Sequence, residues 1–149
     1  SLQNRSVENF WGEAGMAGSR SKEMRLVIGG YAQGKFSYVM ERYGTQDAVV
    51  LDEITDVTYA SQNMIVVNHF HKWMKCCLEK GRNPELMIDE FLEKNPDCII
   101  ISDEVGNGIV PMEPFEREYR ERLGRCLIEL AKKAESVERV ICGIGQKIK

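Results

Sequence analysis

The chain has no apolar run approaching the ~20 residues that a helix needs to cross a bilayer, so no membrane span is expected. It has no surplus of positive charge either. Lys and Arg number 20 against 23 Asp and Glu, for a formal net charge of −3 and a pI near 5.5. Without a basic field, nucleic acid is not an expected partner. No C-x-x-C pair occurs among the five cysteines, Cys76, Cys77, Cys98, Cys126 and Cys142. An odd count, with Cys98 and Cys142 inside apolar runs, reads as reduced thiols of a cytoplasmic protein. Histidine is scarce, with only His69 and His71. There is no internal repeat, and the first residues lack the apolar centre of a signal peptide.

What is present suits one domain: 149 residues, of which 43% are hydrophobic. Residues 1–23 are rich in Ser, Gly, Asn and charge, and read as an extension ahead of a domain that starts near Met24. A loose tail is the plain reading; an arm docking on another subunit through Phe10 and Trp11 is the other. From there, apolar strands alternate with helices. Met24 to Ile28, Ala48 to Leu51, Met64 to Val67, Cys98 to Ile101 and Arg139 to Cys142 read as strands. Helices are expected from about Gly34 to Arg42, with Gly44 as the stop, and from Phe70 to Glu79. A third starts at Pro84 and turns Leu86, Met87, Phe91 and Leu92 inward; a fourth runs from about Glu113 to Glu135. In the last, Phe115, Tyr119, Leu123, Cys126, Leu127 and Leu130 recur at helical spacing. This alternation predicts an α/β fold, a mostly parallel sheet with helices on both faces. Ligands of such sheets sit beyond the carboxyl ends of the strands, where the glycine loop, Asp52-Glu53, Asn68-His69 and Asp103-Glu104 fall.

The most informative stretch is Gly29-Gly30-Tyr31-Ala32-Gln33-Gly34-Lys35. It follows a strand and opens a helix, which is the layout of a phosphate-binding loop of G-x4-G-K type. Its backbone N–H groups would cradle a nucleotide's phosphates, and the Lys35 ammonium would neutralise the β- and γ-phosphates. The pattern then asks for Ser or Thr to hold magnesium, and Phe36 stands there. Ser37 lies about 100° further round the helix and is no simple substitute.

Asp103 and Glu104 close an apolar strand, as acids that bind a metal or orient an attacking group do; helix caps and loop charges look the same. His69 and His71 form H-x-H. In an extended segment they would share a side and could share a metal; on a helix they would diverge by about 200°. Neutral structural histidines are the reading preferred over a histidine nucleophile for nucleotidyl transfer.

The last third carries a resemblance. Asp103 to Pro111, reading D-E-V-G-N-G-I-V-P, then a long helix, then the terminal G-I-G-Q-K-I-K of Gly143 to Lys149, resembles the bifunctional adenosylcobinamide kinase/adenosylcobinamide-phosphate guanylyltransferases of cobalamin biosynthesis. That family carries N-E-V-G-x-G-I-V-P and G-I-G-x-K-I-K. Its glycine loop, G-G-x-x-S-G-K-S, is matched at Gly29, Gly30, Gly34 and Lys35, while Gln33 and Phe36 depart. The resemblance runs from about Met24 to Lys149.

It implies a P-loop NTPase-like fold, a homotrimer, phosphorylation of adenosylcobinamide by ATP or GTP, and then GMP transfer from GTP through a histidine intermediate. Only twelve residues separate Leu51 from Met64, none of them histidine, so the segment bearing that acceptor is missing. Asn68 stands where the family usually has an acid, and Asp103 replaces the usual Asn, while Glu104 matches. The implied site is therefore Lys35 and Glu104 as catalytic groups, with Asp103 and Glu104 on magnesium. Gly29, Gly30, Tyr31, Ala32, Gln33, Gly34, Lys35, Phe36 and Asn68 would hold the nucleotide. Loss of the acceptor histidine disfavours guanylyl transfer and leaves kinase chemistry open. The rival reading is a non-catalytic nucleotide- or corrinoid-binding regulatory homologue, with Phe36 filling the phosphate site.

Overall fold

The computed structural model describes residues 23–43, 48–54, 64–104 and 113–149. In chain order these form β1 (Met24–Gly29), α1 (Lys35–Tyr43), β2 (Val49–Leu51), β3 (Ile65–Val67), α2 (Phe70–Glu79), α3 (Pro84–Lys94), β4 (Cys98–Asp103), α4 (Pro114–Lys133), β5 (Ser136–Ile141) and β6 (Ile144–Lys147). One six-stranded sheet has the order β2-β3-β4-β1-β5-β6. All neighbours are parallel except β5 and β6, which are antiparallel. The α/β architecture expected from the sequence is therefore present, with one antiparallel edge.

Parallel strands are buried on both sides, so alternate residues feed two cores. Leu26, Ile65, Val67, Cys98 and Ile100 point to one face and meet Phe70, Trp73 and Met74 of α2, Ile88 and Phe91 of α3, and Leu123, Cys126 and Leu130 of α4. Val27, Val66, Ile99, Ile101 and Val140 point to the other and meet Val39 of α1. The boundaries of α3 follow from local chemistry. Asn83 caps it by accepting from the Leu86 N–H at 3.2 Å, and Pro84 occupies the first turn, where no N–H is needed.

The structure departs from the sequence reading in five places. β4 runs two residues further than expected, so Asp103 ends a strand instead of opening a loop. Its register pairs Asp103 with Gly29, which brings the acid to the glycine loop. β5 starts at Ser136, three residues before the expected strand, because Val137 completes the larger core. Cys142 lies outside β5 in an exposed turn, with Cys142 (φ 50) and Gly143 (φ 76) reversing the chain into β6. Leu86 is 61% exposed, and Ile88 takes the inward place on α3. Phe115 is only half-buried, at the start of α4, where the turn has not reached the core. The readings made for residues 1–22, for Gly44 and for Val105 to Pro111 lie outside the described residues.

Candidate functional site

The site begins with three strands that end side by side. Gly29 pairs with Asp103 of β4 and with Val140 of β5. A Cβ on Gly29 would lie 2.6 Å from the Val140 carbonyl oxygen, so a side chain there would force the central strands apart. The loop then turns through left-handed backbone at Ala32 (φ 58) and Gly34 (φ 81). The Tyr38 N–H donates to the Gly34 carbonyl at 3.0 Å, closing the first turn of α1. The first N–H groups of α1, which have no carbonyl partner within the helix, and the positive end of its dipole lie at this loop.

Gln33 fastens the loop to the β5–β6 turn. Its carbonyl accepts from the Gly143 N–H at 2.8 Å, and its Oε1 accepts from the Cys142 N–H at 2.7 Å.

A pocket of about 280 Å³ opens above the strand ends. The loop from Tyr31 to Ser37 forms one wall; Asn68, His69, His71, Lys72 and Asp103 form the other. Lys35 is buried at its base, 8% exposed. Its ammonium donates to the Gly30 carbonyl at 2.7 Å and to Asp103 Oδ1 at 2.6 Å. An ammonium has three donors, so two are committed within the protein and one is left for the pocket.

Asp103 is oriented from its other side by His71. The Asp103 N–H donates to His71 Nδ1 at 3.1 Å, which leaves the ring proton on Nε2, 3.3 Å from Asp103 Oδ2. Burial pushes the His71 imidazole below its usual range, against the upward pull of Asp103, so His71 is a neutral donor to that carboxylate. The Tyr119 hydroxyl donates to the His71 carbonyl at 3.2 Å and fixes the start of α2.

His69 precedes α2 with left-handed backbone (φ 58), and the Asn68 Oδ1 accepts from its N–H at 3.1 Å. The divergence of about 200° expected for two helical positions therefore does not arise. The two rings stand edge to face, 6.1 Å apart. His69 Nδ1 lies 3.2 Å from Asp52 Oδ1 at the exposed rim, which brings the acid after β2 to the same edge.

Of the residues singled out in the sequence, Tyr31, Ala32, Gln33, Gly34, Lys35, Phe36, Asn68 and Asp103 line the pocket. Gly29 and Gly30 shape it from below through the close approach to Val140 and the carbonyl on Lys35. Glu104 does not join Asp103. It turns to Arg139, whose Nε donates to Glu104 Oε2 at 3.0 Å. Magnesium, which the fold family implies, does not fit these residues. Phe36 offers no oxygen, Asp103 is held by Lys35 and His71, and Glu104 is held by Arg139. Among the described residues no three His, Cys, Asp or Glu side chains converge as a metal site. The sequence reading missed Lys72. It sits in the first turn of a helix that begins at a strand's carboxyl end, and that position was the available signal.

A family described as cobinamide kinase/cobinamide phosphate guanyltransferase matches residues 32–148. The bifunctional adenosylcobalamin biosynthesis protein CobU of Salmonella typhimurium (strain LT2) is 31% identical over 111 residues, covering 69% of this chain and 59% of that protein. The protein of the same name from Escherichia coli (strain K12) is 43% identical over 80 residues, covering 52% of this chain and 44% of that protein. The chain thus spans about half the length of these curated relatives. With the strand–glycine loop–helix unit in place and the match running almost to the last residue, the chain belongs to the cobinamide kinase/cobinamide phosphate guanyltransferase family.

Proposed function

We propose that this chain binds GTP or ATP by the phosphates at the glycine loop, as a cobinamide kinase/guanylyltransferase-like protein of cobalamin assembly. The observation that carries the reading is Lys35, a buried ammonium at the base of the pocket with one donor uncommitted. A buried lysine is costly unless its charge is used or paired. Here Asp103 pairs it, and a phosphate added from the pocket side would take the third donor. Loop N–H groups and the start of α1 would hold the remaining phosphate oxygens.

Phosphoryl transfer to a corrinoid hydroxyl is the second reading, and Asp103 favours it. Its carboxylate lies in the pocket beside Lys35, where it could accept a hydroxyl proton. Guanylyl transfer by the family route is not part of the proposal, because the acceptor-bearing segment has no counterpart between Leu51 and Met64.

Thermal unfolding with each nucleotide tests the reading. Ligand at ~100 times its dissociation constant adds about 2.7 kcal/mol, a rise of roughly 5–10 °C for a domain of this size. Lys35→Ala should abolish that rise. An equal rise in the variant would remove Lys35 from the site and overturn the proposal.

A further inference from the structure

We infer that this pocket takes its phosphates without a divalent cation, and so favours a free nucleoside diphosphate over the magnesium complex of a triphosphate. The inference rests on the phosphate-binding reading and narrows its ligand; it stands against the phosphoryl-transfer reading, because a diphosphate has no γ-phosphoryl group to give. A magnesium ion beside a phosphate-binding loop needs an oxygen at the second residue of the helix and a carboxylate free to receive a bound water. Among the described residues neither stands in that place, since Ser37, the nearest hydroxyl on the pocket wall, lies one residue too far along the helix. Phe36 presents a ring to the pocket, and each Asp103 oxygen is already turned to a donor, Oδ1 to Lys35 at 2.6 Å and Oδ2 to His71 at 3.3 Å. Of the other described acids at these strand ends, Glu104 is turned to Arg139 and Asp52 stands at the exposed rim against His69.

What replaces the metal is a second ammonium. Lys72 reaches the same pocket from α2, opposite the loop, and makes no ion pair with the described residues. With Lys35 below, it would bracket a phosphate pair from two sides, while the loop N–H groups approach from a third. These are all donors, and they suit bare phosphate oxygens. A hydrated cation in their midst would meet the Phe36 ring and the like charge of Lys72. It would also withdraw phosphate oxygens from the donors built to receive them. Nucleoside triphosphates exist in the cell chiefly as magnesium complexes, whereas diphosphates hold the metal less tightly. The site therefore selects the shorter chain.

Isothermal titration of the full chain with GDP and with GTP, each in excess magnesium chloride and in EDTA, tests this. GDP should bind in EDTA at least as tightly as in magnesium, and more tightly than magnesium-loaded GTP. Lys72→Ala, an exposed position whose loss leaves the core untouched, should weaken GDP binding in EDTA about tenfold, the loss expected for one charge-assisted contact. Binding seen only with magnesium would overturn the metal-free inference and leave nucleotide binding standing. Binding in EDTA that ignores Lys72→Ala would also overturn it, since the replacement cation would be wrong. No heat in any arm would take down both this inference and the phosphate-binding reading.

Discussion

Helix α1 has a buried charge at each end, and the two are used differently. At its start, Lys35 is held by Asp103 and the Gly30 carbonyl, with an open pocket on its remaining side. At its far end, Glu138 of β5 is 5% exposed and is closed in. The Tyr43 hydroxyl donates to its Oε2 at 2.7 Å, and Arg42 lies 3.4 Å from the same oxygen. The Tyr38 hydroxyl packs beside it against Gly145, where a Cβ would collide with that hydroxyl. The guanidinium of Arg25 stacks on the Tyr43 ring at 5.0 Å. A charge closed in on all sides can only hold the fold, whereas a charge at a cavity is open to a further partner. Both are desolvated and both are paired, but only Lys35 has a donor directed at space a ligand can enter.

The largest expected effect breaks the closed cluster. Glu138→Ala leaves the Tyr43 hydroxyl and the Arg42 guanidinium without their shared acceptor, and opens a hole between α1 and the sheet. Leaving the Tyr43 hydroxyl without its acceptor beside a new cavity costs roughly 2–3 kcal/mol, or about 5–10 °C in this size class. Asp103→Asn at the open end should cost about 1 kcal/mol, because the amide oxygen still accepts from one of its two donors and water in the pocket can serve the other. Calorimetric melting of both variants checks the contrast. Equal losses would mean that the pocket end is as structural as the other.

Acid sharpens the same contrast by a smaller amount. Burial pushes the Glu138 carboxyl up, but the neighbouring Tyr38 and Tyr43 hydroxyls and the Arg42 charge outweigh it, leaving the group below its ordinary value of 4.5. A depressed folded-state value means that the unfolded chain binds the proton more readily. The stability Glu138 contributes is therefore complete above pH 4.5 and is lost as the pH falls through the lower folded value. Glu85, lowered by its hydrogen bond from Arg122, acts in the same direction, but its side chain is 42% exposed and its share is small. Urea unfolding of Glu138→Gln between neutral pH and pH 3 should give a flatter acid limb than the wild type. An identical limb would assign the acid sensitivity elsewhere.

Much of the pocket's loop wall was legible in the sequence, because it is written in residues whose backbone needs are local. A glycine meeting Val140, another at φ 81, and a lysine at the helix start announce themselves by type and spacing. The opposite wall was not legible for a matching reason. His71 and Asp103 lie 32 positions apart and are joined only because α2 lays His71 against the end of β4. The length of β4 decided that contact, and the run Cys98 to Ile101 showed its apolar part but not the two further ladder residues, Ser102 and Asp103. The pairing of Asp103 with Glu104 failed for the same reason. Neighbours on a strand face opposite sides of the sheet, so once Asp103 is in the strand, Glu104 leaves toward Arg139. The final hairpin was hidden because Cys142 looked like the end of an apolar strand, whereas its φ of 50 makes it the first half of a turn.

That turn leads to the smallest effect, and it tests whether the open end owes its shape to a distant element. Gln33 Oε1 accepts from the Cys142 N–H at 2.7 Å, while the Gln33 carbonyl accepts from the Gly143 N–H at 2.8 Å. Gln33→Ala removes only the side-chain half of this clasp, at an exposed site where water can replace it, so the melting temperature should fall by no more than the equivalent of about 0.5 kcal/mol. The loop it holds includes left-handed backbone at Ala32 (φ 58), a conformation that costs a non-glycine residue of order 1 kcal/mol and persists only while its surroundings impose it. Nucleotide affinity should therefore drop by several-fold, because the loosened loop spends less time with its N–H groups converged. Gln33→Glu, which keeps an acceptor at the same reach, should restore the loop's order as read by amide hydrogen exchange at Ala32 to Lys35. Unchanged affinity and exchange in Gln33→Ala would show that the glycine loop holds its own shape, and that the edge hairpin serves the sheet alone.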